Sequence, residues 1–442
     1  MLDKMGGLGQ ITPMEALNQK HLNVAKQAGL HLDAASAAMR ILSAMNWDAE
    51  LKENFLKTGA MPRPEYPTVD TQAARQHIAE ARVLINGDHV VLAWLSKLSD
   101  KLETTANMID ARGTTEFFNH SAELYGRPTR LMLDGKTRVL DMARQLDDML
   151  DDYNYDQLVV DGYETQLTST KFVRALRPRL AEHFGDDAPK VVVSSKLSSK
   201  ASANARRIRV RKSASFTERD IEQLLQHEAL IHVATAMNGK AQDNFPILGR
   251  AHAGTTEIQE GLAVFAEIIS GAMDPKRFRR LSARVLEIQS AIEGADFKEV
   301  FDSFIERGID PSQAFENTRR VFRGGVVTGG APFTKDMVYL NGLLRVHNFM
   351  RTVVRLGRAD LIRVLFVGKM DLEDLPALAQ LASQDRIEAP RFMPHWAKDL
   401  RFLVSYMAYS GFLNQVKMPG FQAYYEEALK DVPNVWSFVE GG

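Results

Sequence analysis

The sequence predicts an α+β protein that is predominantly helical, with a small antiparallel sheet between helical amino-terminal and carboxy-terminal parts. Apolar residues recur at helical spacing over long segments on both sides of residues 190–216. Within 190–216 they alternate or form a short β-branched run, which is typical of strands. The composition is 45% hydrophobic and 25% charged over 442 residues, so a soluble globular chain of two or three structural units is expected.

The amino-terminal part, residues 1–165, is predicted to be helical because Ala34–Met45 and Thr71–Leu102 both show helical periodicity. Three prolines lie between these segments and indicate a connection. Beyond residue 217 helix dominates again. The clearest helical patterns there cover Leu281–Ile292, Met337–Val354 and Trp396–Tyr409.

The middle part, residues 166–300, contains the predicted strands. Lys190–Ser195 is rich in β-branched residues, and the segment that begins at Ala205 alternates in steps of two. That alternation puts Ile208 and Val210 on one face of a strand. The arginines go to the other face, where they could grip an acidic partner or simply face solvent: Arg207, Arg209 and Arg211.

Charge and cysteine content narrow the classes of function. Lys plus Arg total 55 and Asp plus Glu total 56, which gives no overall basic character for binding nucleic acid. A nucleic-acid-binding alternative would use the strand arginines and the basic run Lys276–Arg280, and a steep salt dependence of binding would reveal it. Without cysteine, a metal site can use only histidine and carboxylate ligands. No signal or membrane segment is recognised, so a cytoplasmic location is expected.

The most informative segment is TERDIEQLLQHEALIHVATAMNG, which starts at Thr217. Thr217 and Asp220 are typical of a helix start, and Gly239 is typical of its end. An apolar stripe along this helix leads onto Glu228 and His232. Because buried charge is costly unless it is paired or bound to a metal, the polar residues here call for a partner.

A metal would account for this polarity. Two histidines on one helix can bind zinc, and the glutamate after the first can act as general base for the attacking water. In the common HExxH motif the histidines are four residues apart, whereas His227 and His232 are five apart. Five residues of an α-helix turn about 500°, which would leave the histidines about 140° apart. A π-type turn with i→i+5 hydrogen bonds would restore them to one face, so we predict one here.

A second helix offers the third ligand. GTTEIQEGLAVFAEIISG begins at Gly254, and Thr256 with Gln259 has capping-box spacing. Glu260 would lie one turn inside this helix, beside Gly261, whose small size allows a second helix to approach closely. Glu257 and His252 are alternative ligands. Glu257 would sit at the first turn, where helix-end N–H groups also account for a carboxylate.

HEALIH followed by QEGLA, at Gln259–Ala263, resembles the tyrosine/phenylalanine carboxypeptidase family, which includes the microtubule-associated tyrosine carboxypeptidases and bacterial proteins described by the QEGLA motif. The resemblance continues through FFNHSAELYGRP, ARRIRVRKSASFT, RRVFRGG and PFTKDMVYLNG, and covers most of the chain from about residue 30.

The resemblance implies a zinc metallopeptidase that hydrolyses the carboxy-terminal aromatic residue of a peptide or protein. His227, His232 and Glu260 match its metal ligands, and Glu228 matches its general base. The resemblance also implies a zincin-like core, placed here in residues 166–300, with residues 301–442 completing the cleft. In such a core the edge of a strand pairs with the substrate, and the strand at Ile208 is the predicted edge.

An exopeptidase must also bind the free terminal carboxylate, for which arginine is well suited. Arg320, Arg323 and Lys335 are the candidates, and Tyr339 is the candidate donor to the oxyanion. A different function remains open, that of a non-enzymatic regulator or scaffold that keeps a metal site. The intact Glu228 speaks against it, because a scaffold does not require the base.

Overall fold

The computed structural model describes residues 17–153, 166–195, 197, 200–413 and 427, and the predicted α+β, predominantly helical class is confirmed. The amino-terminal helices are α1 Gln19–Ala38, α2 Ile41–Ala44, α3 Ala49–Thr58, α4 Gln72–Leu84, α5 Val90–Asp110, α6 Thr115–Tyr125 and α7 Val139–Asp152. The periodic segment Thr71–Leu102 therefore holds two helices. The chain breaks between them at a turn where Gly87 has a φ of 122°, a conformation that favours glycine.

The strands lie in two small sheets: β1 Leu167–Thr168, β2 Lys190–Ser194, β3 Ala201–Asn204, β4 Arg207–Arg211 and β5 Ser215–Phe216. β1 and β5 pair antiparallel. The larger sheet has the order β2-β4-β3 and is mixed rather than antiparallel as predicted, since β2 and β4 run parallel. The chain passes from β2 to the far side of the sheet as β3. It then returns through a tight turn as β4, between the other two strands.

The predicted substrate edge at Ile208 is wrong, because β4 is the central strand of this sheet. Ile208 pairs with Val191 of β2 on one side and with Ala203 of β3 on the other. The predicted alternation is nevertheless correct. Ile208 and Val210 are fully buried against α8 Ser169–Phe184 and its neighbours, whereas Arg207 and Arg209 are exposed.

The helices after the sheets are α9 Glu218–Leu224, α10 Ala234–Lys240, α11 Ala253–Ile269, α12 Pro275–Ile292, α13 Phe297–Glu306, α14 Pro311–Phe322, α15 Val338–Arg355, α16 Asp360–Val364, α17 Leu375–Ser383, α18 His395–Lys398 and α19 Leu400–Leu413. The predicted helices in Leu281–Ile292 and Met337–Val354 are confirmed within α12 and α15. The pattern at Trp396–Tyr409 is split by Asp399, where the backbone is extended. None of the helices in the described ranges has the length and apolar character needed to span a bilayer.

Two hydrophobic cores hold these elements together. The larger contains side chains from Leu17 to Met407, including the buried face of α11. The smaller contains α8, the sheets and part of the helix from Leu224 to Ala234, and it is closed by Phe392. The helix that carries the two histidines therefore lies between the two cores. The predicted boundaries near residues 165 and 300 stay a prediction.

Candidate metal centre

The histidine-bearing helix starts where the sequence predicts. Thr217 accepts a hydrogen bond from the Asp220 amide at 3.3 Å, and the Asp220 carboxylate accepts one from the Thr217 amide at 2.8 Å. The helix ends at Lys240, one residue after the predicted Gly239. Gly239 is needed for another reason, since a Cβ there would lie 2.0 Å from the carbonyl oxygen of Leu248.

The two histidines lie on a π-helix, as their spacing predicts. Between α9 and α10, residues Leu225–Val233 form i→i+5 hydrogen bonds. The wider turn brings both imidazoles to one side, with ring centroids of His227 and His232 4.9 Å apart and ring planes at 81°. In a regular α-helix the same residues would diverge.

Glu260 of α11 completes a group of three ligand-type side chains. Its Oε2 lies 3.4 Å from Nε2 of His227 and 3.6 Å from Nε2 of His232, and all three ligand atoms lie within 4.8 Å of one another. Oε2 of Glu260 is buried and has no hydrogen-bond partner among the described residues. A buried carboxylate oxygen without a donor is costly, and a cation between these atoms would satisfy it. Two imidazoles and one carboxylate are a donor set that fits zinc.

The alternative ligands lie elsewhere. α11 begins at Ala253, earlier than predicted, because its amino-terminal cap is formed between His252 and Thr255. Glu257 therefore lies inside the helix, where its carboxylate accepts hydrogen bonds from Asn341 and, at 2.7 Å, from Arg345. Neither Glu257 nor His252 belongs to the group around the histidines.

The charges around the three ligand atoms favour a cation. Burial opposes ionisation of Glu260, but the neighbouring imidazoles outweigh it and hold the pKa of Glu260 well below its usual range. Burial also lowers the pKa of His227, yet Glu260 and Glu267 together raise it to about 10. Two carboxylates therefore face the His227 ring, an arrangement that favours a proton on His227 or a cation beside it.

Glu267, which the sequence analysis missed, fixes the orientation of His227. Its fully buried carboxylate lies with Oε1 2.6 Å from Nδ1 of His227, and Arg277 donates to both of its oxygens. A carboxylate on the far nitrogen of a histidine selects the tautomer whose other nitrogen is free to bind metal. One signal was available: Glu267 lies two turns after Glu260, on the same face of the helix and within its apolar carboxy-terminal half.

Lys369 lies behind the centre and was also missed. Its buried ammonium donates to Gln259 Oε1 at 2.8 Å and to the backbone carbonyl of His232 at 3.3 Å. Burial lowers the pKa of Lys369 to about 8, against the opposing charges of Glu260 and Glu228. This cation thus holds the backbone carbonyl of His232 within the π-helix. A single lysine in the apolar run LFVGKM was the signal.

Glu228 follows His227 directly and is half-buried at the same end of the π-helix. Its carboxylate makes no hydrogen bond or ion pair with any other residue in the described part of the chain. The Nε2 atoms of His227 and His232 face Oε2 of Glu260 instead, at 3.4 and 3.6 Å. Glu228 is thus free to accept a proton, which a general base requires.

Tyr339 and Arg320 form a polar group with Asp336. Arg320 binds the Asp336 carboxylate with two hydrogen bonds of 2.5 and 2.9 Å, and it also donates to the Tyr339 hydroxyl at 3.3 Å. Arg320 and its neighbouring cations hold the pKa of Asp336 well below its usual range, although burial opposes this. Arg320 is therefore largely neutralised by Asp336.

Three further cations lie around Tyr339, and none of them binds Asp336 as closely as Arg320 does. Nε of Arg323 is buried without a hydrogen-bond partner among the described residues, and burial next to Arg320 lowers the pKa of Arg323 to about 10. The guanidinium of Arg284, which the sequence analysis missed, stacks over the Tyr339 ring 4.4 Å from its centroid. Lys335 lies 5.5 Å from that centroid, and its charge helps lower the pKa of Glu260.

The structure thus places the predicted basic residues and Tyr339 in one cluster beside Glu260. In this cluster four cations, Arg284, Arg320, Arg323 and Lys335, surround the single carboxylate of Asp336. The excess positive charge fits an anionic group of a ligand.

A family model described as microtubule-associated tyrosine carboxypeptidase matches residues 53–415. This range includes every residue of the candidate metal centre and of the cationic cluster. No curated protein matches the chain.

Proposed function

The chain belongs to the microtubule-associated tyrosine carboxypeptidase family, and from this we propose that it is a zinc-dependent carboxypeptidase that removes an aromatic residue from the carboxy terminus of a peptide or protein. The observation that carries the proposal is the convergence of His227, His232 and Glu260, with a buried oxygen of Glu260 that has no other partner.

His227, His232 and Glu260 would hold the zinc ion. Zinc supplies Lewis acidity at such a site, which makes water more acidic and a peptide carbonyl more electrophilic. Glu267 and Arg277 keep the His227 ring in place from behind, so that Nε2 of His227 points toward Glu260. With three protein ligands such an ion would keep room for water and substrate, as catalytic His₂Glu sites do.

Glu228 would act as the general base. Its unpaired carboxylate takes a proton from the attacking water and later passes it to the amine of the released amino acid. Tyr339 would stabilise the oxyanion of the tetrahedral intermediate. Because Arg320 donates a hydrogen bond to the oxygen of Tyr339, the tyrosine keeps its own proton to donate.

The terminal carboxylate would bind to Arg323 and Arg284 rather than to Arg320. The guanidinium of Arg320 already donates two hydrogen bonds to Asp336, whereas the buried Nε of Arg323 has no partner among the described residues. Arg284 stacks on Tyr339, and its Nε lies 3.7 Å from Oδ2 of Asp336, farther than the hydrogen bonds of Arg320. Lys335 adds a third positive charge at this site. These cations would distinguish a free carboxy terminus from an internal peptide bond.

A zincin-like core is part of the proposal, with a different strand edge from the one first predicted. β3 packs against the π-helix and has no strand on its outer side within the described chain. The edge at Ala203 could therefore pair with an extended substrate in the manner of an added strand. The central strand β4 cannot, because both of its edges are already paired.

The proposal is tested by digesting a set of peptides that differ only in their last residue, with products identified by mass spectrometry. We expect loss of a single carboxy-terminal Tyr or Phe, slower loss of aliphatic residues, and no reaction when the terminal carboxylate is amidated. Internal cleavage, or equal cleavage of the amidated peptides, would contradict a carboxypeptidase. A zinc-loaded protein that cleaves none of the peptides would favour the non-enzymatic regulator.

A further inference from the structure

A second group of metal-ligand side chains lies between α1 and α4, outside the catalytic centre. It consists of His31 on α1 and of His77 and Glu80, which are three residues apart on α4. Nδ1 of His31 lies 3.4 Å from Nδ1 of His77 and 2.9 Å from Oε2 of Glu80. Nδ1 of His77 lies 3.3 Å from the same oxygen. Three ligand atoms on two helices thus point at one location.

The separations suit a small divalent cation. Ligands at 2.0–2.1 Å from a tetrahedral zinc ion stand roughly 3.3 Å apart, and the observed separations of 2.9 to 3.4 Å bracket that value. The other oxygen of Glu80 accepts a hydrogen bond from Gln76 at 3.0 Å, which holds the carboxylate in this orientation. The three side chains are between 34% and 40% exposed, so a metal could enter and keep water as a further ligand.

Hydrogen bonds alone explain the group less well. Both imidazoles can donate to Oε2 of Glu80, but this places two N–H groups side by side, with their nitrogens 3.4 Å apart. If one ring is deprotonated at Nδ1, it accepts from the other and loses its bond to Glu80. A cation at the shared location would satisfy all three atoms at once.

We propose that His31, His77 and Glu80 bind a divalent cation of the zinc class, and that this ion pins α1 to α4. α1 packs extensively on α4, and two residues after His31 the carboxylate of Asp33 accepts two hydrogen bonds from Arg250, at 2.6 and 2.9 Å. Arg250 lies in the connection between the two helices of the catalytic centre. The ion would therefore brace a helix that supports this connection.

The test is zinc content measured by elemental analysis on the untagged full chain, equilibrated at buffered micromolar free zinc. We expect two zinc ions per parent chain, one in His77→Ala, one in His227→Ala and none in the double variant. His21→Ala is the matched control, because His21 lies on α1 like His31 but outside the cluster. Its ring lies 5.9 Å from that of His89 instead. It should keep both ions.

A second readout is thermal unfolding with and without zinc. Zinc should raise the Tm of His227→Ala but not that of the double variant. Glu80→Gln, a substitution close in shape, should remove this rise when it is combined with His227→Ala. Equal zinc content in the parent and His77→Ala would overturn the proposal and leave a hydrogen-bonded cluster only. If His227→Ala loses no zinc while His77→Ala does, the catalytic assignment fails and this one stands.

Discussion

Oε1 of Glu267 lies 2.6 Å from Nδ1 of His227, and both groups are buried, with Arg277 donating to the Glu267 carboxylate. Glu267 does not belong to the ligand group, so its effect on the metal must pass through His227. We expect Glu267→Gln to weaken zinc binding about 10- to 100-fold, as is usual for the outer partner of a ligand histidine. Competition with a chromophoric chelator measures this affinity.

Glu287 offers the matched control, because it is also a buried glutamate but bonds to Ser303 on another helix. Glu287→Gln should leave zinc affinity unchanged. If Glu267→Gln binds zinc as tightly as Glu287→Gln and the parent do, Glu267 does not position His227.

Gly261 is predicted to be irreplaceable where α11 crosses α15. A Cβ on Gly261 would lie 2.1 Å from the carbonyl carbon of Gly342, a backbone atom that cannot rotate away. Gly261→Ala should therefore lower the free energy of unfolding by roughly 1–3 kcal/mol or more. It should also displace Glu260, its neighbour in the chain. Urea denaturation followed by circular dichroism measures the first effect.

Gly411→Ala is the comparison for this substitution, since a Cβ there meets nothing within 4 Å. Its helix propensity should make it neutral or stabilising by about 1 kcal/mol. A Gly261→Ala protein as stable as the parent would mean that the two helices can separate at little cost.

The proposed carboxylate site predicts a selective loss in Arg323→Ala and Arg284→Ala. A hydrogen bond to a charged group contributes about 1.5–3 kcal/mol, so kcat/KM for a peptide with a free carboxy terminus should fall roughly 10- to 100-fold. The loss should appear mainly in KM, with zinc content unchanged. Arg358→Ala, at an exposed residue paired with Asp360, should leave both constants as they are.

The carboxylate site would be misplaced if both variants kept the parental preference for free over amidated termini. A fall in zinc content in these variants would instead point to structural damage. Steady-state kinetics on the matched peptide pair, with the metal measured on the same samples, separates the two results.

The sequence was sufficient to predict the backbone conformation of the helix that carries His227 and His232. Five residues between His227 and His232 are incompatible with a shared face of an α-helix, so a π-turn could be predicted from helix geometry alone. Glu267 and Lys369 were not predicted, because their roles depend on which helices pack together. Glu267 meets His227 across 40 residues of chain, and Lys369 meets His232 across 137.

The order of the strands illustrates the same limit. Alternation along Arg207–Arg211 reports which face of the strand is buried, and the structure confirms it. It carries no information on whether the strand edges are paired, since edge and central strands alternate alike when only one face is covered. The substrate edge was therefore assigned to β4, although β4 is the central strand and the edge strands are β2 and β3. Arg320 was similarly a reasonable anion site until the structure showed Asp336 bound to it.

The central claim is that Glu228 is the base of a zinc peptidase, and one measurement on zinc-loaded Glu228→Gln tests it most directly. The rate of release of the carboxy-terminal tyrosine is followed by mass spectrometry, beside the parent, on samples whose zinc content is known. Because Glu228 is not a ligand, we expect the parental zinc content in the catalytic centre and a rate lower by a factor of about 10²–10⁴. Release at a rate close to that of the parent, with zinc in place, would contradict the mechanism.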